Sequence, residues 1–295
     1  MAWRSCRASA SSSATAWVPG PPGSSSISSE PGLTLLKLGG SLLTDKTRPR
    51  TARPEVIRRL AGEIATARAA GAGALVLGHG SGSFGHVAAA RAGLGGGPVP
   101  PEKMDGVAET QAEAEALHRL VCTALREAGV ASFSLAPGSC WVGRGGRIEG
   151  SLPAALPLAL RAGLLPVVYG DVVLDSQWGA AIASTEAVLS LLARALPAAG
   201  FPVRRAIWLG DTPGVLDATG LPLPEIHPRD EQAVMAAVTG PAGTDVTGGM
   251  RLRLATAAEL ARAGIPSLLA DGTVPGLLER ALRGEPVPGT VVAAG

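Results

Sequence analysis

Leu33-Thr-Leu-Leu-Lys37-Leu-Gly39-Gly40-Ser41-Leu-Leu-Thr-Asp-Lys46 is the stretch that decides how the rest of the chain is read. A short apolar run, Leu33–Leu38, ends at a glycine pair, as a buried strand does when it enters a loop. A helical pattern follows: Pro54 lies near its first turn, Val56, Ile57, Leu60 and Ile64 share one face, and Gly71 lies beyond its end. The unit then repeats. Ala74–Leu77 has the look of a second buried strand and runs into His79-Gly-Ser81-Gly82-Ser-Phe-Gly-His86, with a further helix expected to start at His86.

Further along, a long helix is predicted over about 103–128, closed by Gly129. Strands at about 130–135, 165–169 and 204–209 alternate with helical patterns near 153–162 and 185–196. The last third repeats the alternation: helix 249–262, strand 266–270, helix 274–283 and strand 290–292. Such an order predicts an α/β fold, a three-layer αβα sandwich around a mostly parallel sheet. Sheets of that kind bind ligands at the carboxyl ends of their strands, where the glycine-rich loops fall here.

Composition narrows the function. The 295 residues are 46% hydrophobic and 17% charged, with no apolar run near the length of a membrane span. Twenty-six basic against 24 acidic residues give a net charge of +2, too even to point to nucleic acid. Cys6, Cys122 and Cys140 form neither a disulfide framework nor a metal-ligand spacing, and the four histidines show none either, so a reducing cytoplasm is expected. Residues 1–31 are Ser-rich and acid-poor before Glu30; they read as a disordered, dispensable extension, with a targeting peptide or an early start codon as alternatives. Of the 26 basic residues only Lys37, Lys46 and Lys103 are lysines, in a chain rich in Gly, Ala, Pro and Arg. Two of those three flank the first glycine pair.

Lys37 and Lys46 bring two cations to a loop whose successive amides can cradle an anion, although the glycines alone would suit a plain strand-to-helix turn. Neither the dinucleotide fingerprint nor the Walker A pattern is matched. The second loop can wrap a phosphate, with His86 as a donor. His79 lacks that setting and reads as structural. Asp171 after Gly170, and Asp211 after Gly210, stand at strand ends, where a carboxylate orients a lysine, meets a nucleotide-bound metal or forms a turn. Asp245-Val-Thr-Gly248-Gly249-Met250 leads into a helix carrying Arg251 and Arg253.

Lys37-Leu-Gly-Gly-Ser41 with Lys46, the His79–His86 loop, Tyr169-Gly-Asp-Val-Val, Gly210-Asp-Thr-Pro-Gly214-Val and Asp245-Val-Thr-Gly-Gly-Met250 occur in the order of the amino acid kinase superfamily. The chain resembles that superfamily over about 33–294. The Gly-Ser-Phe-Gly-His86 ending is similar to its isopentenyl phosphate and fosfomycin kinase branch, and to the isopentenyl phosphate kinase family within it. The resemblance implies a kinase domain over 32–295, with an acceptor half at about 32–170 and a nucleotide half at about 171–295. It implies transfer of the γ-phosphoryl of ATP to isopentenyl phosphate, with Mg²⁺ brought by ATP, no protein metal site and a homodimer. A fosfomycin-like kinase and a non-catalytic nucleotide- or metabolite-sensing domain are the alternatives.

Residue by residue, the resemblance sets Lys37, Gly39, Gly40 and Ser41 against the ATP phosphates and Lys46 near the transferred phosphoryl. Ser81, Gly82 and His86 would hold the acceptor phosphate, with Gly82 also reached by ATP. Gly170 would border the acceptor, and Asp171 would orient the lysines. Asp211, Gly214 and Gly249 would border the nucleotide. Arg253 stands where the family has a phosphate-contacting lysine, and Ala183-Ser-Thr-Glu186 where a Ser-Gly-Asp-Asp-like turn is expected. An isoprenoid tail would lie along Met104, Val107, Ala108 and Leu117, with Gly106 and Ala108 leaving room. A monophosphate acceptor, with its second pKa near ~6, is already ionised at pH 7 and needs no general base.

Overall fold

Among the described residues, twelve strands and ten α-helices follow the alternation, with one departure in the middle of the chain. A computed structural model describes residues 32–238 and 248–295. It opens with β1 (Leu33–Leu38), α1 (Gly40–Leu43), α2 (Pro54–Ala69), β2 (Leu75–His79), α3 (Gly82–Ala92) and α4 (Met104–Glu127). Next come β3 (Ser132–Ser134), α5 (Pro137–Cys140), β4 (Val142–Arg144), β5 (Arg147–Glu149) and α6 (Ala155–Arg161). Then follow β6 (Leu165–Tyr169), β7 (Asp171–Asp175), β8 (Gly179–Ala183), α7 (Thr185–Ala195) and β9 (Val203–Gly210). The chain ends with β10 (Glu225–Ile226), α8 (Glu231–Val238), α9 (Gly248–Arg262), β11 (Ser267–Asp271), α10 (Leu277–Leu282) and β12 (Thr290–Val292). The described residues belong to one compact unit, Pro31–Gly295.

Eight strands form one sheet in the order β10-β12-β11-β9-β1-β2-β6-β3, and every neighbouring pair is parallel except β11 with β12. Alternation along each strand divides its side chains between two cores. Leu33, Leu35, Val76, Val168, Ala206 and Trp208 pack against Val188, Leu189 and Leu192 of α7 and Leu254, Ala257 and Ala261 of α9. Leu36, Leu38, Leu75, Leu77, Val167 and Leu209 face Ile57, Leu60 and Ile64 of α2, Leu117 and Val121 of α4, and Leu278 of α10. Helices therefore cover both faces, the expected three layers.

The departure is a second sheet, β5-β4-β7-β8, that the sequence reading did not place. Asp175 holds its turns together: Oδ1 accepts from the amides of Gly145, Gln177 and Trp178, and Oδ2 from Gly146. This sheet also moves the expected boundary at 170/171. β7 pairs with β4 and with β8, so the strands after residue 170 stay with 142–149 and the chain leaves this sheet only after β8. In the main sheet the earlier strands lie on one side of the β1–β9 seam and the later ones on the other. The 1–31 segment and residues 245–247 of the Asp245–Met250 motif lie outside the described residues.

Candidate active site

The carboxyl ends of β1, β2, β6, β9 and β11 are tied together by backbone bonds that step from strand to strand. The amides of Gly39, Gly80, Gly170 and Gly272 donate to the carbonyls of Leu209, Leu38, His79 and Gly210. Two of the loops so aligned interlock. A Cβ on Gly40 would stand 2.5 Å from the amide nitrogen of Gly82, and one on Gly80 would stand 2.8 Å from that of Gly40. Only glycines allow this approach. Gly82 has φ +53°, and a Cβ there would meet Thr44 Oγ1 at 2.2 Å. Thr44 Oγ1 donates to the Gly40 carbonyl at 2.8 Å and accepts from the Ser83 amide at 2.9 Å, riveting the loops together.

The cations gather around this pair. Lys37 is buried on β1, and its Nζ donates to Glu186 Oε1 on α7 at 2.7 Å. Burial pulls the Lys37 ammonium below its ordinary pKa, Glu186 pushes it back, and the nearby Arg253 and Lys46 lower it again. Arg253 is buried too; its Nε donates to the Gly249 carbonyl, and its guanidinium lies where a side chain on Gly210 would be. Lys46 is exposed in the loop after α1, close enough to act on both Lys37 and His86. His86 is exposed, and partial burial of its ring followed by the Lys46 charge lowers its pKa. On the nucleotide side expected from the motifs, the Ser41 hydroxyl donates to Asp211 Oδ1 at 3.0 Å.

Several expectations change. α3 starts at Gly82, not at His86, which lies in its second turn, because Ser81 already occupies the N-cap. Asp171 does not orient the lysines: Oδ2 accepts the Gly138 amide at 2.9 Å, and the carboxylate on Lys37 is Glu186. Burial, opposed by the Gly138 and Val172 amides, raises the Asp171 pKa. Gly170 is buried beside the second loop, 3.5 Å from the Ser81 amide nitrogen when given a Cβ. Gly214 has φ +141° and sits against Thr290, whose hydroxyl accepts the Val215 amide, so its fit there is to β12. Sequence reasoning missed Glu186; its signal was a carboxylate filling the place of the expected acidic turn.

The tail expectation divides. Val107, with Met104 beside it, joins Ala89, Ala92, Leu94, Val99, Val172 and Ala180 in a small apolar cluster. Ala108 is exposed and Leu117 belongs to the large core under α4. Gly106 leaves no space, because a Cβ there would meet Ala92 Cβ at 2.8 Å, where α4 crosses α3. His79 has the structural place expected of it. Its ring stacks with His118 and Tyr169, and its Nδ1 bonds the Gly80 carbonyl at 3.1 Å. That carbonyl only accepts, so His79 Nε2 accepts from His118 Nδ1 at 3.0 Å, and His118 Nε2 accepts from the Ser134 hydroxyl at 2.6 Å.

A model of the Amino acid kinase family matches residues 32–271. The chain belongs to the amino acid kinase family. Among its relatives, the isopentenyl phosphate kinase of Methanothermobacter thermautotrophicus is 33% identical over 270 residues, 88% of this chain and 98% of that one. That of Haloferax volcanii is 36% identical over 228 residues, covering 75% and 86% of the two chains. A solved isopentenyl phosphate kinase superposes with a TM-score of 0.73 at 30% identity over 88% of this chain and all of the other. The strand ends that gather Lys37, Lys46, His86 and Arg253 thus belong to a kinase fold along nearly their whole length. No helix among the described residues is long and apolar enough to cross a membrane.

Proposed function

We propose that this kinase transfers the γ-phosphoryl of ATP to isopentenyl phosphate, giving isopentenyl diphosphate. The observation that carries the reading is the interlock of the Gly39–Gly40 and Gly80–Gly82 loops, which lead into Lys46 and His86. That close approach supports two phosphate sites side by side, as transfer between two phosphates requires. Similarity to isopentenyl phosphate kinases over 88% of the chain supports the choice of acceptor. In this reading Lys37, Gly39, Gly40 and Ser41 hold the donor phosphates, Asp211, Gly214, Gly249 and Arg253 border the nucleotide, and Ser81, Gly82, His86 and Gly170 surround the acceptor phosphate. Lys46 meets the charge that moves between them. Glu186 keeps Lys37 in place, and the apolar cluster around Val107 receives the tail.

The acceptor oxygen is ionised before it reacts, so the residues bind, align and neutralise and no base is called for. No group of three or more histidine, cysteine or carboxylate side chains among the described residues could hold a metal ion. In this reading Mg²⁺ enters with the ATP phosphates, whose charge it offsets. We further take the enzyme to be cytoplasmic, as its cysteine pattern suggests, and homodimeric, as the family resemblance implies.

The test is ATP with isopentenyl phosphate, followed by ³¹P NMR. Diphosphate is expected; none at saturation, or turnover only on a phosphonate such as fosfomycin, overturns the reading. ATP binding without turnover on any acceptor indicates a sensor. His86→Ala should raise the acceptor KM tenfold or more and leave the ATP KM within about twofold. Lys46→Ala should lower kcat by about 100-fold, the scale of one lost transition-state contact. Wild-type constants in either variant remove that residue from the mechanism.

A further inference from the structure

Arg50 is the only non-glycine residue with positive φ among those described, at +49°. A side chain resists that conformation, and a structure keeps it only where surrounding contacts hold it. Here they do. The Arg50 amide donates to the Ser83 carbonyl at 3.2 Å, and the Thr51 amide donates to Ser83 Oγ at 3.3 Å, fixing the loop to the first turn of α3. The Arg50 guanidinium, itself 63% exposed, reaches the other way to Glu113 of α4, whose side chain is 15% exposed; Nε lies 2.9 Å from Oε2, an ion pair without hydrogen-bond alignment. The far end of the loop is closed as well: the Asp45 amide donates to the Thr51 carbonyl, and the Asp45 carboxylate accepts from the Thr47 amide and hydroxyl and from Arg48. Between these ties stands Lys46.

We propose that Arg50 is a positioning residue, a strap that uses its left-handed backbone and its ion pair with Glu113 to hold the Lys46 loop against α3 and α4. The strap joins the Lys46 loop to the same helices, α3 and α4, that carry His86 and border the apolar cluster. Lys46 therefore keeps one distance from His86 and Lys37 while its own side chain stays solvated. The inference rests on the kinase reading for its catalytic consequence only.

A double-mutant cycle tests it. Arg50→Ala is expected to lower kcat for isopentenyl phosphate about tenfold with the ATP KM within twofold, Glu113→Gln to act in the same direction, and Arg50→Lys to recover most of the loss. In a Lys46→Ala background the Arg50→Ala change should cost less than twofold. The full tenfold loss in both backgrounds, or no loss in the first, overturns the strap. A second readout needs no substrate: by ¹H–¹⁵N NMR of the four histidines, the His86 pKa should rise in Arg50→Ala towards its value in Lys46→Ala, because the lysine charge has moved away. An unchanged His86 titration also overturns the proposal. If the wild type does not phosphorylate isopentenyl phosphate, the functional reading fails, and the His86 titration still decides the strap.

Discussion

Glu186 shows how much rests on one side chain. It is buried, bonded to the buried Lys37 and within the field of the buried Arg253, so it offsets two cations in a place with little water. Glu186→Ala leaves Lys37 without an acceptor, and breaking a buried pair of this kind costs about 3 kcal/mol, which urea unfolding would show. The same change drives Lys37 further towards the neutral amine, and kcat should fall about 100-fold; a variant with wild-type kcat would separate Glu186 from the chemistry. The scarcity of lysine had already marked Lys37 and Lys46, since a chain that uses arginine almost everywhere retained lysine at these positions. Lys103 has a different reason. Its Nζ lies 3.2 Å from the point where a Cβ on Gly93 would be, at the end of α3, where a positive charge favours the helix dipole. Glu186 was legible as a stand-in for the expected acidic turn but not as the partner of Lys37, because an acidic residue in the first turn of a helix has a sufficient local explanation in that same dipole.

Among the elements, α10 depends on a carboxylate from another helix. Glu63 of α2 accepts the amides of Leu278 and Glu279 with Oε2 while Oε1 pairs with Arg59, and Arg59 Nη2 donates to the Gly272 carbonyl in the loop after β11. Glu63→Ala leaves two helix-end amides without an acceptor in a buried place, and should lower stability by about 2 kcal/mol, read as a drop in Tm. An unchanged Tm would show that the α10 amides find another partner. Where a run of apolar residues met a glycine or proline, as at β1, β6 and α2, the sequence showed the element within a residue or two. The second sheet was not legible. β4 and β5 are three residues each around Gly145-Gly146, and β8 is mostly alanine and glycine, so no period-2 pattern stands out. Their partner in folding is Asp175, four amides gathered by one side chain, which no local pattern reveals.

For the whole molecule, acid is the expected weakness. His79 and His118 are buried, and burial first, then neighbouring charge, holds their pKa values down to about 4 and about 3. In the unfolded chain both titrate near ~6.5. Below that pH the unfolded state takes up protons that the folded state refuses, so each histidine removes about 1.4 kcal/mol per pH unit until its folded value is reached, and nothing changes above pH 7. Urea midpoints should stay level from pH 8 to 7 and fall steeply to pH 5, and His118→Asn should roughly halve that slope; a level profile down to pH 5 would contradict the buried neutral pair. The β1–β9 seam carries another consequence, one of timing during synthesis. β1 is the first of the described strands to leave the ribosome and lies in the middle of the finished sheet, yet β9, which closes one of its edges, begins at Val203, roughly 165 residues later. At 5–20 residues per second that edge stays open for about 10 to 30 s on each nascent chain, with Leu33–Leu38 unpaired on one side. A strand buried in the finished sheet is thus, during translation, open along one edge to pairing with another chain.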